Sequence, residues 1–128
     1  MFRLDGHSGV PVYRQIIDQV LAGIAAGSLA PGDRLPTVRQ VAVDLSINPN
    51  TVMRAYRELE IRGVLDTQQG TGTFIAPQKV RRDEIEHRER LNQFVNDCVA
   101  RAGSAGFTVD ELLEELHDRA VDSQRKRR

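Results

Sequence analysis

The sequence predicts a mainly α-helical protein with one small β-hairpin, followed by a two-helix segment. Three observations support this fold class. Apolar residues recur at helical spacing in three stretches before residue 64, and residues typical of helix starts or ends bound each stretch. Two short β-compatible runs then flank a glycine-containing turn. After residue 78 the sequence returns to amphipathic helical patterns.

The first predicted helix starts near Pro11 and ends at Gly27. Its apolar residues follow the i, i+3, i+4, i+7 pattern and are expected to face a core: Tyr13, Ile16, Ile17, Val20, Leu21 and Ile24. The connector SLAPGDRLP comes next, and its Pro-Gly pair is expected to break regular structure.

The second and third helices carry clear start signals. Thr37 and Gln40 have the spacing of a capping box, which opens a short helix in TVRQVAVDL. In SINPNTVMRAYRELEIRG, Asn48 is the expected N-cap and Pro49 occupies the first helical position. Gly63 is expected to end this third helix. The inward-facing residues are predicted to be Val38, Val41, Ala42 and Leu45, then Val52, Ala55, Tyr56 and Leu59.

The hairpin is predicted from the runs VLDTQ and TFIA, which are joined through QGTG. Residues 1–78 thus read as helix, helix, helix and hairpin, with only the tight SIN turn between the second and third helices. This order is typical of a winged helix-turn-helix.

Residues 79–121 are predicted to form two helices that mediate dimerisation or effector binding. The first is expected to break at Gly103 and Gly106, and Thr108 with Glu111 forms a capping box for the second. Two amphipathic helices bury little apolar surface alone, so they are expected to pack on each other, on the first unit or on a second copy; this is the sequence argument for a dimer. The dimerisation residues would be Leu91, Phe94, Val95, Cys98, Val99, Leu112, Leu113 and Leu116. Residues 122–128 are expected to be a disordered basic tail.

Composition sets limits on function. The chain has 128 residues, 18 basic and 18 acidic, so no global positive field indicates a nucleic acid partner. One cysteine, Cys98, suits a reducing cytoplasm, and its place in an apolar stripe suggests a buried side chain. No membrane span, catalytic set or metal-ligand pattern is recognisable. We therefore expect a cytoplasmic protein that is not an enzyme and needs no cofactor.

The third helix nevertheless has the pattern of a DNA-reading element. With its apolar stripe inward, small polar residues crowd its first turn, where a helix-turn-helix meets base edges. Further basic residues suit phosphates, and the QGTG turn suits a wing tip in the minor groove. The candidate DNA-binding residues are Arg34, Arg39, Asn48, Asn50, Thr51, Arg54, Arg57, Gly70, Thr71 and Gly72. The alternatives are ordinary solvated residues, local pairing of the arginines with Asp33 or Asp44, and glycines that only permit positive φ.

The segments PVYRQIIDQVLAGIAAGSLAPGDRLPTVRQVAVDL, INPNTVMRAYRELEIRGVLDT and QQGTGTFIA resemble the GntR family of bacterial transcription regulators over residues 9–77. The short remainder resembles the YtrA subfamily. Under this resemblance Arg39 corresponds to a DNA-contacting arginine, Thr51 to a recognition-helix threonine, and Gly70 and Gly72 to the wing-tip glycines. Many family members have arginine at the positions of Pro49 and Met53, so those base contacts do not transfer.

The resemblance implies a homodimer that binds a palindromic operator and usually represses transcription. A small-molecule effector of unknown identity is a further expected partner. The competing hypothesis is a winged-helix protein-interaction module without DNA binding, which the neutral charge keeps open. A steep loss of binding affinity at higher salt concentration would favour the DNA-binding hypothesis, because a protein partner held by apolar contacts would not show such a loss.

Overall fold

The computed structural model describes residues 1–77 and 83–127. Its helices are α1 (Val12–Ala26), α2 (Val38–Leu45), α3 (Pro49–Ile61), α4 (Glu84–Ala105) and α5 (Val109–Arg127). Its strands are β1 (Arg34–Leu35), β2 (Leu65–Gln68) and β3 (Gly72–Ile75). The chain divides into two compact units, residues 1–78 and 79–128. This is the mainly helical winged helix-turn-helix that the sequence predicts, with a two-helix unit after it.

Helix α1 has the predicted boundaries. Pro11 precedes its first turn, and Gly27 ends it in the left-handed conformation with φ +87°. Ahead of the helix, the amino-terminal segment is held by two glutamines of α1: Gln19 exchanges two hydrogen bonds with the backbone of Arg3, and Gln15 bonds the backbone of Asp5. Phe2 is thereby seated in the core.

Helices α2 and α3 begin as predicted. Both hydrogen bonds of the Thr37–Gln40 capping box are present. The tight turn that follows depends on Ser46, a non-glycine residue with φ +55°. The N–H groups of Ser46 and Ile47 donate to the carbonyl groups of Val43 and Ala42 respectively, which closes the end of α2 before α3 starts.

The sheet is larger than the predicted hairpin. Strands β2 and β3 pair antiparallel with Leu65 opposite Ile75, and β1 adds to the other edge of β3 with Arg34 opposite Phe74. The strand order is therefore β1-β3-β2. Strand β1, inside the connector SLAPGDRLP, was not predicted, because its residues find their hydrogen-bond partner on a strand about forty residues further along the chain.

One apolar core joins α1, α2, α3 and the sheet in the first unit. The side chains of Ile16, Ile17, Val20, Val52 and Leu59 are completely buried in it. The inward-facing residues predicted for the three helices all belong to this core or pack against it, as do Leu35, Leu65 and Ile75 of the three strands. The core fixes which face of α3 remains outside.

The second unit differs from the prediction at two places. Gly103 lies inside α4, and only Gly106, with φ +86°, ends the helix. One interior glycine costs a helix about 1 kcal/mol, which α4, with 22 residues, tolerates. The expected disordered tail is instead helical as far as Arg127, because α5 continues through good helix formers once its capped start has nucleated it. The start of the charged run, residues 79–82, lies outside the described residues.

Within the described parts of the chain, every helix is too short or too polar to traverse a lipid bilayer.

Candidate nucleic-acid interface

Helix α3 presents one polar face to solvent. Its opposite side is fixed in the core by Val52, Ala55, Tyr56 and Leu59, all of which are buried. Helical geometry therefore turns Asn50, Arg54 and Arg57 outward, and all three are exposed. Thr51 is half-buried at the edge of this face. The candidate residues of α3 thus lie on one continuous exposed surface.

The front of α3 uses its backbone donors internally. Asn48 Oδ1 accepts the N–H of Asn50 at 2.8 Å, and the Asn48 carbonyl accepts the N–H of Thr51 at 3.0 Å. Pro49 has no N–H. A partner at this helix end must therefore be recognised by side chains. The amide of Asn50 can both donate and accept, as a bidentate contact to adenine requires, whereas the oxygen of Asn48 already caps the helix.

The start of α2 is arranged differently. The capping box uses the N–H groups of Thr37 and Gln40. Among the described residues, the N–H groups of Val38 and Arg39 donate to no other protein group. The side chain of Arg39 is exposed beside them. Two free donors, the helix dipole and a guanidinium together form a site suited to a phosphate.

The local pairing considered for Arg39 is not observed. Asp33 accepts a hydrogen bond from the N–H of Ala30 at 2.8 Å, and Asp44 is an exposed residue of α2. Neither aspartate forms an ion pair with Arg39 in the described structure; the ion pairs of this unit are Arg14–Asp18 and Arg62–Glu58. Arg39 therefore keeps its full charge for an anionic partner.

Arg54 makes a contact that sequence reasoning missed. The central carbon of its guanidinium lies 3.8 Å from the centre of the Tyr13 ring, although the arginine remains exposed. Stacking on an aromatic face orients a guanidinium without neutralising its charge. Tyr13 of α1 thus holds Arg54 at one side of the exposed face, whereas no ion pair or ring contact joins the Arg57 side chain to another described residue.

The turn between β2 and β3 combines two special glycines. Gly70 has φ +78° with open space around its Cα, and Gly72 has φ +143°. A Cβ on Gly72 would lie 2.9 Å from Nε of Arg34. The strand therefore leaves room for the Arg34 side chain to cross it. Gln69, Gly70 and Thr71 are exposed, so the turn is accessible to a partner.

A buried tyrosine connects α3 to the residues before α2. The hydroxyl of Tyr56 donates to the carbonyl of Pro36 at 2.7 Å, and the side chain is only 3% exposed. Burial raises the pKa of Tyr56 above its ordinary value, so the hydroxyl stays protonated and keeps donating. This hydrogen bond fixes the start of α2 relative to α3. It therefore also fixes the candidate phosphate site at Arg39 relative to the polar face of α3.

The candidate dimerisation residues are exposed in the single chain. The exposed fractions are 67% for Phe94, 64% for Leu116, 60% for Leu113, 47% for Leu91 and Val95, and 40% for Val99. Leu112 is half-buried. Cys98 is exposed in the single chain too, so its predicted burial depends on the proposed contact with a second copy.

This geometry can be compared with known proteins. The sequence matches the bacterial regulatory proteins of the gntR family over residues 12–75. The chain belongs to the GntR family. The match spans the first unit from α1 to the end of β3, which is the part that carries the polar face of α3. The GntR chain is thus a transcriptional regulator with a winged-helix DNA-binding unit.

Three relatives refine this assignment. The transcriptional repressor YtrA of Bacillus subtilis is 35% identical over 127 residues, which cover 95% of this chain and 94% of the relative. YtrA from Sulfolobus acidocaldarius, a solved structure, is 31% identical with a TM-score of 0.58, over 77% of this chain and 97% of its own. These two place the chain in the YtrA subfamily. The DNA-binding domain of AraR, solved with operator ORE1, is 26% identical with a TM-score of 0.50, over 59% of this chain and 93% of its own.

Proposed function

We propose that the protein is a sequence-specific DNA-binding repressor of the cytoplasm, which binds a palindromic operator as a homodimer under possible control by a small molecule. The observation that carries this proposal is the polar face of α3, which runs from Asn50 and Thr51, beside the capped, proline-started helix end, to Arg57 about two turns further on. Family membership supports a regulator rather than an enzyme.

In this proposal α3 enters the major groove with its first turn against base edges. Asn50 reads a base, Asn48 adds its amide donors, and Thr51 contacts a base or a thymine methyl. Arg54 and Arg57 contact phosphates further along the helix. At the start of α2, the free N–H groups of Val38 and Arg39 and the Arg39 side chain bind a phosphate of the adjacent backbone.

The wing would contribute a third contact. Gly70 and Thr71 lie in an exposed turn that Gly72 joins to β3, and these small residues suit an approach to a minor groove. Arg34, whose side chain crosses Gly72, would approach the phosphates that border this groove. Each of the three contacts thus comes from a different element of the first unit.

A homodimer is supported by the apolar face of the second unit. Large apolar side chains on α4 and α5 are 40% to 67% exposed in the single chain, and exposed apolar side chains grouped on neighbouring elements are typical of interaction surfaces. The occupant that we propose is the same face of a second copy, because a two-fold dimer would place two copies of α3 in successive major grooves about 34 Å apart. The repressor role is proposed by analogy with the Bacillus subtilis relative, the transcriptional repressor YtrA.

Selection from a randomised DNA library tests the proposed function directly. The full-length protein should enrich an inverted repeat, and the affinity should fall by orders of magnitude between about 50 and 200 mM salt as counterions return to the phosphates. The enriched duplex should lose affinity when the half-site spacing changes by five base pairs, because one α3 then faces the wrong side of the duplex. No enrichment, or an affinity insensitive to salt, would favour the protein-interaction module.

The dimer is tested by one charge on the apolar face. Phe94→Glu should convert the protein to a monomer in sedimentation experiments and weaken operator binding, since the carboxylate would be buried without a partner. Ala100→Glu, an exposed change on the opposite side of α4, is the matched control and should leave the dimer intact. A wild-type protein that sediments as a monomer at micromolar concentration would contradict the dimer while leaving DNA binding by the first unit open.

A further inference from the structure

Met53 is an exposed apolar residue among the polar side chains at the start and middle of α3. It is 51% exposed, although the residue before it, Val52, is completely buried. A large apolar side chain in water gains nothing for the fold, and no described residue of the first unit covers this one. The side chain therefore has its apolar surface available for a partner.

Its neighbours on the helix show what that partner would be. Asn50 lies three residues before Met53 and Arg57 lies four residues after it, so the three side chains are adjacent on one helix face. Arg54, the next residue, is drawn aside by its stacking on Tyr13 at 3.8 Å. Met53 therefore lies between Asn50 and Arg57 along the helix axis, on one flank of the surface that the proposed function places in the major groove.

The major groove offers one kind of apolar group on its base edges, the C5 methyl of thymine. A methionine side chain forms no useful hydrogen bonds with base edges, but it is long, flexible and polarisable, and it adapts to an apolar group of uncertain position. Against cytosine the same side chain would bury the exocyclic amine without a hydrogen-bond partner.

We propose that Met53 is a specificity-determining residue, which selects a thymine in each half-site through contact with its methyl group. This inference rests on the proposed DNA-binding function. It assigns the centre of α3 to apolar readout, while Asn50 on its amino-terminal side reads by hydrogen bonds.

Uracil substitution tests the proposed methyl contact at one thymine at a time. Duplexes enriched by the wild-type protein would be synthesised with each thymine replaced singly by uracil, which lacks only the methyl group. At one thymine of each half-site, wild-type affinity should fall about fourfold, the equivalent of one lost methyl contact. Met53→Ala should bind thymine and uracil at that position equally, whereas Met53→Leu should keep most of the preference. Alanine is a good helix former at this exposed position, so folding should be preserved.

Ile61→Ala is the matched control. Ile61 is also an exposed apolar residue of α3, at 80%, but it lies about 12 Å further along the helix axis. This variant should keep the wild-type uracil sensitivity. If uracil sensitivity is absent at every thymine, or persists unchanged in Met53→Ala, the inference is overturned while sequence-specific binding stands. If the wild-type protein enriches no sequence, the proposed function fails and this inference fails with it.

Discussion

Asn48 and Asn50 have different tasks in the structure, and substitutions can separate them. The oxygen of Asn48 caps α3 through the N–H of Asn50 at 2.8 Å, whereas the side chain of Asn50 is exposed and forms no hydrogen bond with another described residue. Asn48→Ala removes the cap. Asn48→Asp keeps the capping oxygen and places a negative charge beside the proposed DNA. Asn50→Ala removes only the exposed amide.

The structure sets the expected stability changes. Loss of an N-cap side chain costs about 1 kcal/mol, within a range of roughly 0.5–2 kcal/mol. Asn48→Ala should therefore lower the free energy of unfolding by about that amount. Asn48→Asp and Asn50→Ala should remain within about 0.5 kcal/mol of wild type. Urea unfolding followed by circular dichroism measures these changes. All variants must be compared at one protein concentration, because dimerisation would couple stability to concentration.

The DNA effects should follow a different order. Asn50→Ala should lower the ratio of affinities for selected and random duplexes by about 5- to 150-fold, the equivalent of one bidentate base contact. Asn48→Asp should weaken binding to every sequence, because its carboxylate is repelled by the phosphates. An unchanged ratio for Asn50→Ala, or full stability for Asn48→Ala, would refute the division of tasks that we derive from the hydrogen bonds.

Three further predictions concern the buried Tyr56, the two glycines near the end of α4, and Arg39. Tyr56→Phe should cost about 1 kcal/mol at neutral pH, since the Pro36 carbonyl loses its donor. Because burial raises the pKa of Tyr56 above 10.0, the unfolded wild-type chain releases this proton first, and urea titrations above pH 10 should show a loss of stability that Tyr56→Phe lacks. Gly103→Ala should raise the thermal midpoint, whereas Gly106→Ala, at φ +86°, should lower it. Arg39→Ala should weaken binding to selected and random duplexes alike, as measured by fluorescence anisotropy.

Local signals made most of the fold predictable. The start of α2 depends on two residues that are three positions apart, and the start of α3 on Asn48 and Pro49. Strand β1 was missed because a two-residue strand is defined by its pairing with β3, which no local pattern reveals. The helical residues after 121 were missed because polar, charged sequences suit a solvated helix as well as a disordered tail.

The candidate site was predictable to the level of a face but not of individual contacts. Periodicity alone identified which side of α3 is exposed. It could not show that Tyr13, from another helix, holds Arg54, or that Gly72 leaves room for Arg34. Nor could it show that the oxygen of Asn48 is engaged while the amide of Asn50 is free. Such details depend on neighbours that are distant in sequence or on which of several possible hydrogen bonds forms.

The neutral charge of the first unit, which argued against nucleic acid in the sequence, has a structural explanation. Residues 1–78 contain seven arginines and seven acidic residues. Five of the acidic side chains are engaged within the fold: Asp5 with the His7 N–H, Asp18 with Arg14, Asp33 with the Ala30 N–H, Glu58 with Arg62 and Glu60 with Thr67.

The four candidate DNA-binding arginines differ from these acidic side chains in the contacts that they form. Among the described residues, none of Arg34, Arg39, Arg54 and Arg57 forms an ion pair, and the stacking of Arg54 on Tyr13 leaves its charge intact. The two ion pairs among the described residues of this unit therefore involve other arginines, and these four guanidinium groups remain available to phosphates. Attraction to phosphates falls off over roughly 10 Å at 0.1 M salt, so the local excess decides binding and the sum over the chain does not. On this basis, a winged-helix unit with no net charge can bind DNA, which is a polyanion, through one of its faces.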